Sequence, residues 1–140
     1  MTPLDLTQKP PRSPRTELLG LCMLPRMIDI ARAMLPGGKT GDYQIGRGMS
    51  AFVFAKLGIS VSEFVHIVET ACSDEDVANR LLQTQQHADY SNLSARLARV
   101  TVANVPPEMR SDFERYYGSG LPSDMKFFDV LDADDIKTFS

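Results

Sequence analysis

Leu24, Met27, Ile28, Ala31 and Leu35 recur at the i, i+3, i+4, i+7, i+11 spacing, which gathers them on one stripe of a helix but would scatter them over both faces of a strand. The segment is therefore an amphipathic helix that must bury one side. Pro25 suits its first turn, where a missing N–H removes no helical hydrogen bond. Pro36-Gly37-Gly38 stops it, because proline cannot extend the ladder and glycine supplies a left-handed exit.

The rest of the chain is punctuated on the same short scale. Met49 to Leu57 is apolar nearly all round and closed by Gly58, which predicts a short buried helix, although Phe52-Val53-Phe54 alone would suit a strand. Ser60 and Glu63 form a capping box for a helix that buries Val61, Phe64, Val65 and Val68. Ser73 caps another, with Asp74, Glu75 and Asp76 in its first turn, where the helix dipole favours negative charge, and with Val77, Ala78, Leu81 and Leu82 inward.

Gln83 to Tyr90 is polar and reads as a frayed end or loop. Ser91 starts a helix with Leu93, Leu97 and Val100 inward, and Pro107 opens one that Gly118 ends. Ser123 caps a last turn or two around Phe127, Phe128, Val130 and Leu131. Pro3, Pro10, Pro11 and Pro14 push the residues before them away from helix, so 1–14 reads as an extended proline-rich arm able to lie across the domain. With no long alternating segment and no repeat, the expected fold is all-α: a single compact bundle of about five to seven short helices over residues 1–140, ending in an acidic segment at 122–140.

Composition narrows the function classes. Apolar residues make up 43% and charged residues 24% of the 140, which is ordinary globular usage. The net charge of −3 hides a gradient: residues 1–39 carry six basic against three acidic side chains, and 122–140 carry two against five. With no run of Lys and Arg there is no stripe to displace counterions from phosphates, so nucleic acid is not an expected partner. No apolar stretch is long enough to span a bilayer, and residues 1–15 lack the apolar core of an export signal. Cys22 and Cys72 lie outside any CxxC, which indicates neither disulfide framework nor zinc site. A cytoplasmic protein is expected.

Most motifs reduce to bland readings. Gly38-Lys39-Thr40 ends like a phosphate-binding loop, but the first glycine of that motif would fall at Ala33 and the segment follows a helix, so no nucleotide cofactor is expected. Asp129, Asp132, Asp134 and Asp135 lack the mid-loop glycine and terminal glutamate of a calcium loop and read as a solvated acidic tail; no metal is expected. His66, one turn from Glu63 and Glu69, reads as a surface residue, and His87 is weaker still. Both cysteines read as small buried apolar groups.

One group stands out. Arg26, Asp29 and Arg32 follow one another at i+3, opposite the apolar stripe, and Arg12 and Arg15 on the arm could join them. Guanidinium groups forked around a point suit a carboxylate or phosphate. The plain alternative is a charged face with ordinary ion pairs.

The stretches Asp5-Leu6-Thr7, Pro10-Pro11-Arg12-Ser13-Pro14-Arg15, Leu24-Pro25-Arg26-Met27-Ile28-Asp29, Ala31-Arg32-Ala33, Gly41-Asp42-Tyr43, Leu57-Gly58-Ile59 and Phe128-Asp129-Val130-Leu131-Asp132-Ala133-Asp134-Asp135 occur in this order along the chain. Together they resemble a bacterial family known only as a domain of unknown function, number 5069. The resemblance implies one domain and implies that Arg12, Arg15, Arg26, Asp29 and Arg32, with Asp42 and Tyr43, belong to the family's signature. It implies no activity.

The leading expectation is a pocket in which Arg12, Arg15, Arg26 and Arg32 hold a small anionic metabolite, closed by Asp42 and Tyr43. If it is an enzyme, Asp29 is the acid/base group and Tyr43 a hydrogen-bond donor. A non-catalytic protein-interaction or regulatory module is the alternative, and an ion-pair network pinning the arm to the core is the third reading.

Overall fold

The structure, a computed structural model, describes residues 1–84 and 89–140. Among these, a hairpin of β1 (Glu17–Leu18) and β2 (Leu21–Cys22) precedes seven helices. They are α1 (Leu24–Ala33), α2 (Met49–Leu57), α3 (Val61–Thr70), α4 (Asp74–Thr84), α5 (Tyr90–Arg99), α6 (Arg110–Tyr117) and α7 (Phe127–Thr138). Single 3-10 turns at Val102–Asn104 and Pro107–Met109 link α5 to α6. The fold is mostly helical, as periodicity predicts.

The apolar stripe of α1 is the centre of the core. Leu24, Met27, Ile28 and Ala31 are fully buried against Leu21, Val53, Leu57, Phe64, Val68, Val77, Leu81 and Leu97. Phe54 and Phe64 meet edge to face, ring centroids 5.3 Å apart, and lock α2 onto α3. A second cluster of Val102, Phe113 and Val130, with Tyr117 and Phe127 packed against it, seats α6 and α7.

Two helix starts, those of α3 and α4, follow the expected chemistry, whereas the expected cap at Ser123 is absent: α7 begins after Lys126 with no side-chain cap. Ser60 and Glu63 make the reciprocal capping box of α3. Ser73 Oγ accepts from the Asp76 N–H, and α5 begins one residue earlier than expected because Asp89 accepts from the Asn92 N–H. Of the segment read as frayed or loop, α4 takes up Gln83 and Thr84; residues 85–88, His87 among them, lie outside the described residues.

Four features depart from the sequence reading. The hairpin pairs Glu17 with Cys22 and Leu18 with Leu21 through a two-residue turn. Both turn residues, Leu19 (φ 50°) and Gly20 (φ 81°), take the positive φ that a primed hairpin turn requires. Ser94 of α5 holds it, accepting from the Cys22 N–H and donating to the Gly20 carbonyl. Second, 122–140 is no solvated tail: α7 is a twelve-residue helix that buries Phe128, Val130, Leu131 and also Asp135. Third, Cys72 is exposed between α3 and α4, while Cys22 is buried.

Fourth, residues 1–16 are anchored on the domain by a few inserted side chains. Leu6 is fully buried with Ile30 and Ala33, and Pro11 and Pro14 are also buried. Backbone bonds tie Leu4 to Arg32 and Lys39, and Leu6 to Lys39. Lys39 of Gly38-Lys39-Thr40 therefore serves as a backbone partner for Leu4 and Leu6.

Candidate functional site

Arg26 and Asp29 occupy the side of α1 opposite its apolar stripe, yet they are 4% and 6% exposed. Their side is covered by residues 10–15 and by α7, so the charges need partners inside the protein.

Each guanidinium finds carboxylates. Arg12 grips Asp29 with both ends: its Nε lies 3.0 Å from Oδ2 and its Nη2 2.9 Å from Oδ1, while its backbone N–H donates to Oδ2 at 2.8 Å. Arg12 also reaches Asp74 in the first turn of α4, at 2.7 Å. Burial alone would lower its pKa, but the bonds to Asp74 and Asp29 outweigh this and hold the guanidinium above its ordinary range. Arg26 makes a two-pronged pair with Asp135 at 2.7 and 3.0 Å. Arg15 spans Asp129 and Asp132 at the more exposed end of the seam.

Tyr43 completes the buried end. Its hydroxyl donates to Asp135 Oδ1 at 2.8 Å, and the Arg26 guanidinium carbon lies 5.5 Å from its ring centroid. Burial, then the bond to Asp135, raises the Tyr43 pKa, so the hydroxyl keeps its proton and acts as a donor. Tyr117 is pushed up to about 12 by burial and then by Asp134. Asp134 in turn is raised, first by burial and then by neighbouring Asp135.

The expected gathering around Asp29 is thus replaced by three separate clasps. Arg12 alone pairs with Asp29. Arg26 and Arg15 take acids of α7, and Arg32 donates to the Thr2 carbonyl and hydroxyl, each at 2.8 Å. Asp42 is exposed and acts only through charge, adding to the raised pKa of Asp134. Five carboxylates face the guanidiniums of Arg12, Arg15 and Arg26. The residues that sequence reasoning missed are the acceptors: Asp74, and Asp129, Asp132 and Asp135. The latter three stand three apart on α7, a spacing that marks one helix side.

The other candidates are quiet. His66 is exposed. Burial pushes the Cys22 thiol up, the opposite of an activated nucleophile. Among the described residues no group of three or more His, Cys, Asp or Glu could hold a metal ion, and no single helix is long and apolar enough to cross a membrane. Two surface depressions, one bounded by Met34, Val61, Val65 and His66 and the other by Arg96, Arg99, Val100 and Asn104, include no residue of the clasps.

Comparison with known proteins adds one finding. A family model described as Domain of unknown function (DUF5069) matches residues 8–137. No curated protein matches the sequence.

Proposed function

Since the chain belongs to the DUF5069 family of domains of unknown function, which carries no activity with it, we propose from the side chains alone that it is a non-catalytic interaction or regulatory module. In this reading the Arg/Asp/Tyr cluster closes the fold. The observation that carries it is saturation: Arg12, Arg15 and Arg26 are each bound by carboxylates of the chain itself. A cytoplasmic setting fits the two free cysteines.

The competing reading places a small anionic metabolite at the same residues, with Asp29 and Tyr43 as acid/base groups and Arg12, Arg15, Arg26, Arg32 and Asp42 around it. An incoming anion would have to displace carboxylates already paired, against an excess of negative charge. Asp29 already accepts three hydrogen bonds from Arg12, and the Tyr43 hydroxyl is committed to Asp135.

Thermal unfolding of wild type and Arg12→Gln, with and without citrate or ribose 5-phosphate, separates the two. The clasp reading expects Arg12→Gln to lower Tm while leaving any response to added anions unchanged. Stabilisation of wild type that disappears in Arg12→Gln would establish the metabolite reading instead.

A further inference from the structure

The arginines free to meet an anion lie elsewhere. Lys56 is the only charged residue of α2, and Arg96 and Arg99 are the only ones between Tyr90 and Pro107, in a chain of net charge −3. Lys56 Nζ and the Arg96 guanidinium carbon each stand 5.4 Å from the centroid of the Phe52 ring. Stacking of this kind orders a cation without neutralising it. Among the described residues none of the three pairs with a carboxylate.

A third polar side chain lines the same place. After α5 the chain turns through Val102–Asn104, and Asn104 Oδ1 accepts from the Thr101 N–H at 2.8 Å and from the Thr101 hydroxyl at 3.1 Å. Only the oxygen of an amide can accept from an N–H, so these bonds fix its orientation and leave Nδ2 directed away from Thr101. Nδ2 has no acceptor among the described residues. Arg96, Arg99 and Asn104 line a depression of about 280 Å³ with Val100. Both arginines also offset the negative end of the α5 dipole, an effect of charge that leaves their N–H groups unbound.

We infer that this depression binds a small phosphate-bearing anion. Two guanidinium forks and one amide line it together, and several donors in one depression suit a group with several terminal oxygens better than a single carboxylate. The Phe52 contact holds Arg96 in place beforehand and reduces the ordering cost of binding. The phosphoryl group is the shared chemistry; its source is free phosphate or a phosphorylated metabolite.

The test follows side-chain N–H signals of the isotope-labelled full chain by NMR during titration with inorganic phosphate, ribose 5-phosphate and citrate, at ionic strength held constant with sodium chloride. Saturable shifts at Arg96, Arg99 and Asn104 are expected, with citrate weaker. The surface pair Arg96→Gln/Arg99→Gln stays folded, with Tm lowered by no more than a few degrees through loss of the Phe52 contact and the dipole complement, and binds about tenfold or more weakly. Tighter binding of ribose 5-phosphate than of inorganic phosphate assigns the source to a metabolite, and equal binding assigns it to the free ion. Shifts no larger than those in chloride, or citrate bound as tightly as phosphate, would overturn the inference. Shifts centred on Arg12 and Arg26 would overturn it too, and the clasp reading with it.

Discussion

Asp135 receives hydrogen bonds from Arg26 and from Tyr43, which belong to different parts of the chain. With the Arg26 and Asp135 side chains only 5% and 8% exposed, Asp135→Ala leaves a buried guanidinium without counter-charge. The expected loss is about 3–5 kcal/mol in urea unfolding, and Arg26→Met/Asp135→Leu should recover much of it, because a buried pair replaced by apolar groups of similar volume is often neutral. Asp134 behaves in the opposite sense. Its pKa is raised in the folded protein by burial and by Asp135, so the folded state binds its proton more tightly than the unfolded chain does. Its contribution to stability is full below the unfolded value of 3.8 and is lost as pH rises through the folded pKa. Asp134→Asn should therefore raise Tm at pH ~7 and leave it unchanged below the unfolded carboxylate range; equal Tm at neutral pH would contradict this assignment.

Helix α7 and residues 10–15 form one mechanical unit, since Arg15 grips α7 at Asp129 and Asp132 and Ser13 donates to Asp132. Weakening one should loosen the other. In Arg15→Gln, amide exchange is expected to quicken at Arg12 and Ser13 and in the first turns of α7 together, with α3 unchanged; faster exchange in only one of the two would refute the coupling. These elements differ in how openly the sequence announces them. The apolar stripe of α1, the capping box at Ser60 and the cap at Ser73 are local signals, and the helices stand where they point. The hairpin escapes such reading because its strands have two residues each and its turn is Leu19-Gly20, not one of the Asn-Gly or Asp-Gly pairs that advertise a primed turn. The seam of ion pairs is legible only in part: Arg12, Arg15, Arg26, Asp29 and Tyr43 lie along it, paired in separate clasps. Their acceptors were hidden, because Asp132 and Asp135 become partners only through contacts spanning 117 and 109 positions, which no periodicity encodes.

At the scale of the molecule, charge is sorted. Acidic side chains of α4 and α7 are drawn to the seam, where basic groups of residues 12–26 meet them, while α2 and α5 carry unpaired cations on other ground. The pairing across the seam also sets an order of events at the ribosome. Arg26 lies at the heart of α1, but the carboxylate that makes its burial tolerable is translated more than a hundred residues later. Until α7 emerges, Arg26 faces water and the cluster of Val102 and Phe113 lacks the cover of Val130. A chain cut short before α7 loses Phe128, Val130 and Leu131 from its two apolar clusters and is expected to be more open to proteases.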